Sequence, residues 1–365
     1  MKFAPVGVGA AGGRIVDWIR GLETNGDRRF SNGNVLVFDT DSEAFAEYDY
    51  VPSDRQVLIG DTYPDVEGRG TGGDIDLGAA VAREDKNEIY REFDSIEVND
   101  VDALLLVAGF GGGTGGGTGA ALLEELRATY EVPVYVLGVL PHDSEGDRPA
   151  SNAARSLRSF VPAADNVILF DNDAWHSEGE SLAESHEELN RELATRVVSL
   201  LAAGELEGAD IAENRVDSTD MVRTLGTGGV STIGYATTEL DVSFGLLAWL
   251  RSLFTETDDS PPSDAAQIKS LVRRTVTTRL TLPCEVSSAE RALVVLSGPP
   301  SGISRKGFER ARYWLEAETD TVEVLAGDEP KRRTSTLTAT VLLSNVTDVP
   351  RIEELQSRAL ASEHD

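Results

Sequence analysis

The chain has 365 residues, with 63 acidic against 33 basic side chains and a formal net charge of −30. That balance repels nucleic acid and anionic lipid, so neither is an expected partner. No apolar run reaches the roughly 18 residues of a membrane span; the opening MKFAPVGVGAAGG lacks a signal-peptide core; and the single cysteine, Cys284, leaves no internal disulfide and suits a reducing cytoplasm.

Residues 1–180 alternate short β-branched runs with helical stretches. Strands are expected at Lys2–Gly7, Asn34–Phe38, Ala103–Val107, Val134–Val139 and Asn166–Phe170, with helices at Arg14–Leu22, Thr118–Thr129 and Ser151–Phe160. Such alternation predicts a doubly wound α/β domain on a parallel sheet. Ser181–Gly204 reads as one long helix, because Leu182, Leu189, Leu193, Val197 and Leu201 form one apolar stripe. Asp210–Leu225 reads as a loop followed by a helix. A second, α+β domain then begins. Its strands are expected at Ser231–Leu240, Thr275–Leu282, Ala292–Ser297, Asp320–Val324 and Thr336–Leu343, and its helices at Ser243–Phe254, Asp264–Val272 and Ser304–Ala317. The polar, proline-bearing Thr255–Asp264 reads as an exposed loop and Ser357–Asp365 as a frayed end. The resulting division is 1–180, 181–230, 231–350 and a tail at 351–365.

Three glycine-rich loops lie in the first half, two of them directly after expected strands. Gly109–Gly119, GFGGGTGGGTG, lies between the apolar LLLVA and the helical AALLEELRA, and Gly111–Gly119 holds seven glycines in nine residues. Bare N–H groups and a helix N-terminus in that position ring a phosphate. Gly7–Gly13 satisfies G-x-G-x-x-G, a pattern that by itself fits a dinucleotide fold with Asp39 or Asp41 on a ribose. Gly68–Asp74, GRGTGGD, is the third. Three such loops imply contact with several phosphates, where a dinucleotide fold normally uses one.

GGGTGGGTG resembles the signature loop of the tubulin/FtsZ superfamily, and the resemblance extends in order over most of the chain. It implies a Rossmann-like GTPase domain joined by a long central helix to a smaller α+β domain, with GTP or GDP as ligand. Gly9, Ala10, Ala11, Gly12, Gly13 and Arg14 match the first phosphate loop. Asp41 falls in the second, and Gly70, Thr71 and Gly72 in the third. Gly111, Gly112, Gly113, Thr114, Gly115 and Gly116 match the signature. PHDSEGDR, Pro141–Arg148, is similar to the family's ribose loop, which places Glu145 on the sugar and Arg148 near sugar and phosphates. Asp171-Asn172-Asp173 sets Asn172 against guanine. Asn190 on the long helix reads the base edge, since an amide both donates and accepts. His186, one turn earlier, stacks on the base.

NRVDSTDMV, Asn214–Val222, resembles the family's catalytic loop, with Asp217 and Asp220 at its two acids and Arg215 departing from the pattern. The resemblance implies that these acids enter the next subunit's pocket and polarise the attacking water, so the chain assembles head to tail with itself. Asp217 or Ser218 also suits a helix N-cap. Mg²⁺ is expected on phosphates and water, with no residue assigned as its ligand, and the identity of any adaptor protein is left open. Scattered acid with five lysines fits a salt-rich archaeal cytoplasm or, alternatively, a basic partner. That acidity, the segment Ser243–Asp264 and an end without a long linker and hydrophobic peptide together resemble the archaeal CetZ group, implying cell-shape or motility control. The competing expectations are an FtsZ-like division GTPase, a GTP-binding structural protein with negligible turnover, and an NAD-type oxidoreductase.

Overall fold

The structure, a computed structural model, describes residues 1–176, 182–205, 217–240, 264–321, 323–331 and 334–362. The first half runs β1 (Phe3–Val8), α1 (Gly9–Asn25), β2 (Leu36–Asp39), β3 (Gln56–Leu58), α2 (Ile75–Glu84), α3 (Lys86–Phe93), β4 (Ala103–Gly109), α4 (Gly119–Thr129), β5 (Val134–Leu140), α5 (Asp147–Ala163), β6 (Asn166–Asp171) and α6 (Asn172–Trp175). There follow α7 (Leu182–Leu201), α8 (Ser218–Leu225), β7 (Val230–Glu239), α9 (Asp264–Thr277), β8 (Arg291–Gly298), α10 (Arg305–Thr319), β9 (Val324–Pro330), β10 (Thr336–Ser344) and α11 (Pro350–Ser362).

The described strands form one ten-stranded sheet in the order β3-β2-β1-β4-β5-β6-β7-β10-β8-β9. Pairing is parallel from β3 to β7. It is antiparallel where β10 meets β7 and β8, and parallel again between β8 and β9. β7 is the joint. Its start pairs with β6 through Val167↔Val230 and Ile168↔Ser231, and its length pairs with β10.

The continuous apolar run of β4 explains why this strand is central. A parallel sheet covered on both faces needs side chains that can be buried on both. Ala103, Leu105 and Val107 join the core under α1 and α7, while Leu104, Leu106 and Ala108 join the opposite core. Each leucine so buried contributes about 1.5–3 kcal/mol. On α7 the expected stripe is present in Leu189, Leu193, Val197 and Leu201, all in the α1-side core.

Several expectations change. Thr275–Leu282 is not a strand, because α9 continues to Thr277. Ile268, Leu271, Val272 and Val276 bury one helical face there. The threonines that suggested a strand turn their hydroxyls back onto helix carbonyls, Thr275 to Val272, Thr277 to Arg273 and Thr278 to Arg274. The strand expected at Asp320–Val324 starts only at Val324; Asp320, at φ 50°, closes α10 in the left-handed region. The end expected to fray from Ser357 is helical to Ser362 and packs through α11 on α5. β3, α2 and α3 have no counterpart in the sequence reading. The expected helix Ser243–Phe254, nearly all of the loop Thr255–Asp264, and Asn214–Val216 of the acidic loop lie outside the described residues.

A buried ionic knot ties the two halves. Arg28, after α1, donates through Nε to Glu329 of β9 at 3.2 Å and pairs with its second oxygen. The same carboxylate accepts from Gly204 N–H (3.2 Å) and Ser297 Oγ (2.9 Å). Glu329→Ala leaves the Arg28 guanidinium buried without its carboxylate, and chemical denaturation is expected to show a loss of about 3–5 kcal/mol. The double change Arg28→Met with Glu329→Leu should recover much of it.

Candidate functional site

A cavity of about 370 Å³ opens at the carboxyl ends of β1, β2, β4, β5 and β6, where an open α/β sheet leaves a crevice. Two helices begin there. α1 starts at Gly9, and a π-helical turn, Thr114–Thr118, leads into α4. Neither start has a side-chain cap or an acid in its first turn. By contrast α2, α6 and α8 are capped by the carboxylates of Asp74, Asp171 and Asp217. In a chain with 63 acids, two uncapped starts facing one cavity leave free N–H donors and positive dipole ends for an external anion.

The structure brings most of the expected residues onto this wall. Gly9, Ala10, Ala11 and Arg14 line it from the first loop, Asp41 from the second, and Gly70, Thr71 and Gly72 from the third. Gly111, Gly112, Gly113, Thr114 and Gly115 line it from the signature loop. Glu145, Asn172, His186 and Asn190 close the far end.

Four expected residues stand off the wall. Gly12 serves packing: a Cβ there would lie 2.2 Å from Val107 O, so the glycine sets how closely α1 lies on β4. Gly13 packs beneath Tyr48, and Gly116 packs against Ser156 and Ile75. Arg148 is exposed, with its guanidinium beside Gly73 at the rim.

The loops are cross-braced by Asn152, which no local motif marks, and by a threonine pair. Asn152 Nδ2 donates to Gly73 O (2.9 Å) and to Gly111 O (3.0 Å), joining the third loop to the signature loop. Thr40 and Thr114 share a 2.6 Å hydroxyl contact. No spacing rule signals Asn152, since only the fold carries α5 beneath both loops. At the sugar end Glu145 accepts His142 N–H at 2.7 Å while His142 Nδ1 accepts Ser144 N–H, which closes the turn that presents Glu145.

Two groups on the wall have buried atoms without a hydrogen-bond partner among the described residues: Asp39 Oδ2 and His186 Nε2. Burial lowers the His186 imidazole from its ordinary value, which favours the neutral ring. Burial pushes Asp39 up to about 6, although its other oxygen accepts Thr40 N–H (2.7 Å) and Asp41 N–H (3.1 Å). The donor set fits a nucleotide: free N–H groups at two helix starts suit phosphates, and Glu145, two amides and a neutral ring gather on the rest of the wall.

Asp217 and Asp220 are not in this cavity. Asp217 is exposed and caps α8, its Oδ1 accepting Asp220 N–H at 2.9 Å. α8 ends against the start of β6, where Asn166 Nδ2 donates to Leu225 O (3.0 Å) and Gly228 O (2.9 Å). The cavity lies past the other end of β6, at Asn172. The end of α8 and the cavity therefore sit at opposite ends of β6, about 17 Å of strand apart, and neither acid at the head of α8 lines the cavity.

The description "Tubulin/FtsZ family, GTPase domain" matches residues 3–179, and "Tubulin-like CetZ, C-terminal domain" matches residues 179–361. The chain is 47% identical to the tubulin-like protein CetZ3 of Haloferax volcanii, over all of this chain and 93% of that one. It is 42% identical to CetZ1 of the same organism, with the same coverage. Among solved structures it resembles the GDP-bound monomer of Haloferax volcanii CetZ1 (TM-score 0.85, 39% identity, all of both chains). It also resembles the GTPγS-bound protofilament of CetZ2 from that organism (TM-score 0.84, 35% identity, all of both chains). Among the described residues no helix is long and apolar enough to cross a membrane.

The Asp39 carboxyl keeps its proton in the fold up to a higher pH than its ordinary 3.8. Ionising it therefore costs the folded state, a cost absent below about pH 4 and fully present above about pH 6. Asp39→Asn keeps both N–H contacts and removes that cost. Denaturation should show the variant on the order of 3 kcal/mol more stable at pH 7.5, with the gap closing toward pH 4.

Proposed function

The chain belongs to the tubulin-like CetZ branch of the tubulin/FtsZ family, and from that premise we propose that it is a GTPase whose active site is completed by assembly. The cleft of one subunit binds GTP, and the acidic turn at the head of α8 in the next subunit supplies Asp217 and Asp220. What supports this reading is that neither acid lines the cleft, while the helix they head ends at the opposite end of β6 from it. A subunit so built hydrolyses little alone. Stacked head to tail, each contact joins a cleft to an acidic turn, and such a heterologous contact repeats into a filament. The CetZ2 relative, solved as a GTPγS-bound protofilament, supports self-assembly.

The chemistry follows from placement. The phosphates sit over the uncapped starts of α1 and the Thr114–Thr118 turn. Their N–H groups stabilise charge on the phosphates without moving during the reaction. Asn172 and Asn190 meet the guanine edge, the neutral His186 ring stacks on its face, and Glu145 accepts from the ribose. Asp217 already spends one oxygen on the helix cap, whereas the Asp220 carboxylate has no hydrogen-bond partner among the described residues. Asp220 is therefore the better acceptor for the attacking water's proton, with Asp217 holding the turn in shape. Two carboxylates beside a triphosphate in an isolated subunit would repel it; delivered by a neighbour, they meet it only when filament contacts offset that cost. Mg²⁺ bound through phosphate oxygens and water would neutralise part of the phosphate charge. In a cell this activity would serve a cytoskeletal filament that controls shape.

In high salt with Mg²⁺, phosphate release per subunit should rise with protein concentration, and electron microscopy should show filaments with GTP. Asp220→Ala should lower turnover on the order of 100-fold or more, the scale of one positioned acid–base group, while GTP affinity stays near wild type. If affinity collapses with turnover, Asp220 acts within its own subunit and the assembly reading is wrong.

A further inference from the structure

The two loops that hold the sugar and base ends of the cleft are gripped from behind by the last helix of the chain. α11 packs on α5, whose start continues from the loop after β5. From its first turn Arg351 reaches into the gap between that loop and the end of β6. Its side chain is only 7% exposed. Nη2 donates to Pro141 O at 3.0 Å, and Nη1 lies 2.7 Å from Asp143 Oδ1. Nε lies 3.4 Å from Asp171 Oδ1, an ion-pair contact. Nη1 also meets Glu354 of its own helix at 2.9 Å. One planar guanidinium thus touches both loops at once through donors spread over a rigid fork, where a lysine would offer a single compact charge.

Each contact leads to a residue of the cleft within a step or two. Asp171 caps α6 by accepting Asp173 N–H (3.2 Å), and α6 begins at Asn172. Asp143 N–H donates to Asp173 Oδ1 at 3.1 Å, and Asp143 opens the short turn that ends at Glu145. Three carboxylates, Asp143, Asp171 and Asp173, therefore crowd behind the base and sugar positions. Among the described residues Arg351 and Arg358 face Asp143 and Asp171, Arg358 reaching Asp143 (2.7 Å) and Asp147 (3.0 Å) from the exposed side, while His142 Nε2 lies 3.3 Å from Asp173. Among the described residues only Arg351 forms an ion pair with Asp171. Burial pushes the Asp171 carboxyl up to about 6 even with that partner, so an unpartnered Asp171 would sit still less easily where it is.

We propose that Arg351 is a positioning residue for nucleotide selectivity: it clamps the Pro141–Glu145 loop and the Asp171–Asp173 loop together, so that Glu145 and Asn172 meet sugar and base at fixed separation. The last helix of the second half is in this way a working part of the base site in the first. The assignment rests on the guanine-nucleotide reading of the cleft.

The test uses the full chain in high salt and measures dissociation constants for fluorescent GDP and ADP analogues, with a melting curve for each variant. Wild type is expected to prefer GDP. If wild type binds neither analogue, the nucleotide reading fails before Arg351 is tested. Arg351→Ala should weaken GDP on the order of tenfold, the scale of a charge-assisted hydrogen bond, and should narrow the ratio of ADP to GDP dissociation constants. Arg351→Lys keeps the buried charge and decides the matter if the alanine variant does not fold. It should melt near wild type yet still show a narrowed ratio, because an ammonium can hold one loop but not both. A lowered melting point with an unchanged ADP-to-GDP ratio in the variants that fold would show that Arg351 only stabilises the fold and would overturn the proposal.

Discussion

Everything in this molecule depends on how closely its backbone can approach itself around the phosphate loops. A Cβ on Gly12 would lie 2.2 Å from Val107 O, and one on Gly117 would lie 2.1 Å from Ile75 O. Neither gap admits a side chain. The glycines therefore do more than bend loops. They let α1 settle on β4 and let α2 lie against the Thr114–Thr118 turn, and these two contacts aim the uncapped helix starts at one point. The sheet order, the two cores and the position of α7 are arranged around that convergence. Asn152 and the Thr40–Thr114 contact then hold the loops in the place that the glycines permit.

Much of this was legible in the amino-acid order, and the reasons differ by element. β4 was readable because burial on two faces demands an unbroken apolar run. α7 was readable because burial on one face demands a stripe. The glycine loops were readable because so many glycines between a buried strand and a helix have few other uses. β3, three residues long, was too short to carry a pattern. α9 was misread at its end because threonine looks like a strand former until its hydroxyl finds a helix carbonyl. Of the site, the residues that line the cleft lay in local motifs and were expected. Those that hold it, Asn152 and Arg351, act across long stretches of chain, and no local pattern reports a contact that only the fold creates.

Charge is used in two separate ways. The surface carries a large excess of acid, spread along the chain, as suits a salt-adapted protein related to those of Haloferax volcanii. Inside, the few arginines sit where two parts of the chain must be held together. Arg28 binds Glu329 where the first half meets the second, and Arg351 binds Asp171 and Asp143 where the last helix meets the cleft. Surface charge is screened in strong salt, but the buried Arg28–Glu329 and Arg351–Asp171 pairs are screened much less. The acid excess can therefore follow the solvent while the internal pairs keep the two halves in register.

The placement of the acidic turn outside its own subunit's cleft has a consequence for growth under the proposed assembly. A filament of such subunits cannot have two equivalent tips. One tip presents an open cleft with nothing to complete it, so its nucleotide persists and can exchange. The other presents an acidic turn with nothing to act on, above a subunit already committed to hydrolysis by the neighbour it touches. The age of the polymer is then written along its length in nucleotide state, with a direction that every subunit inherits from the fold of its own sheet.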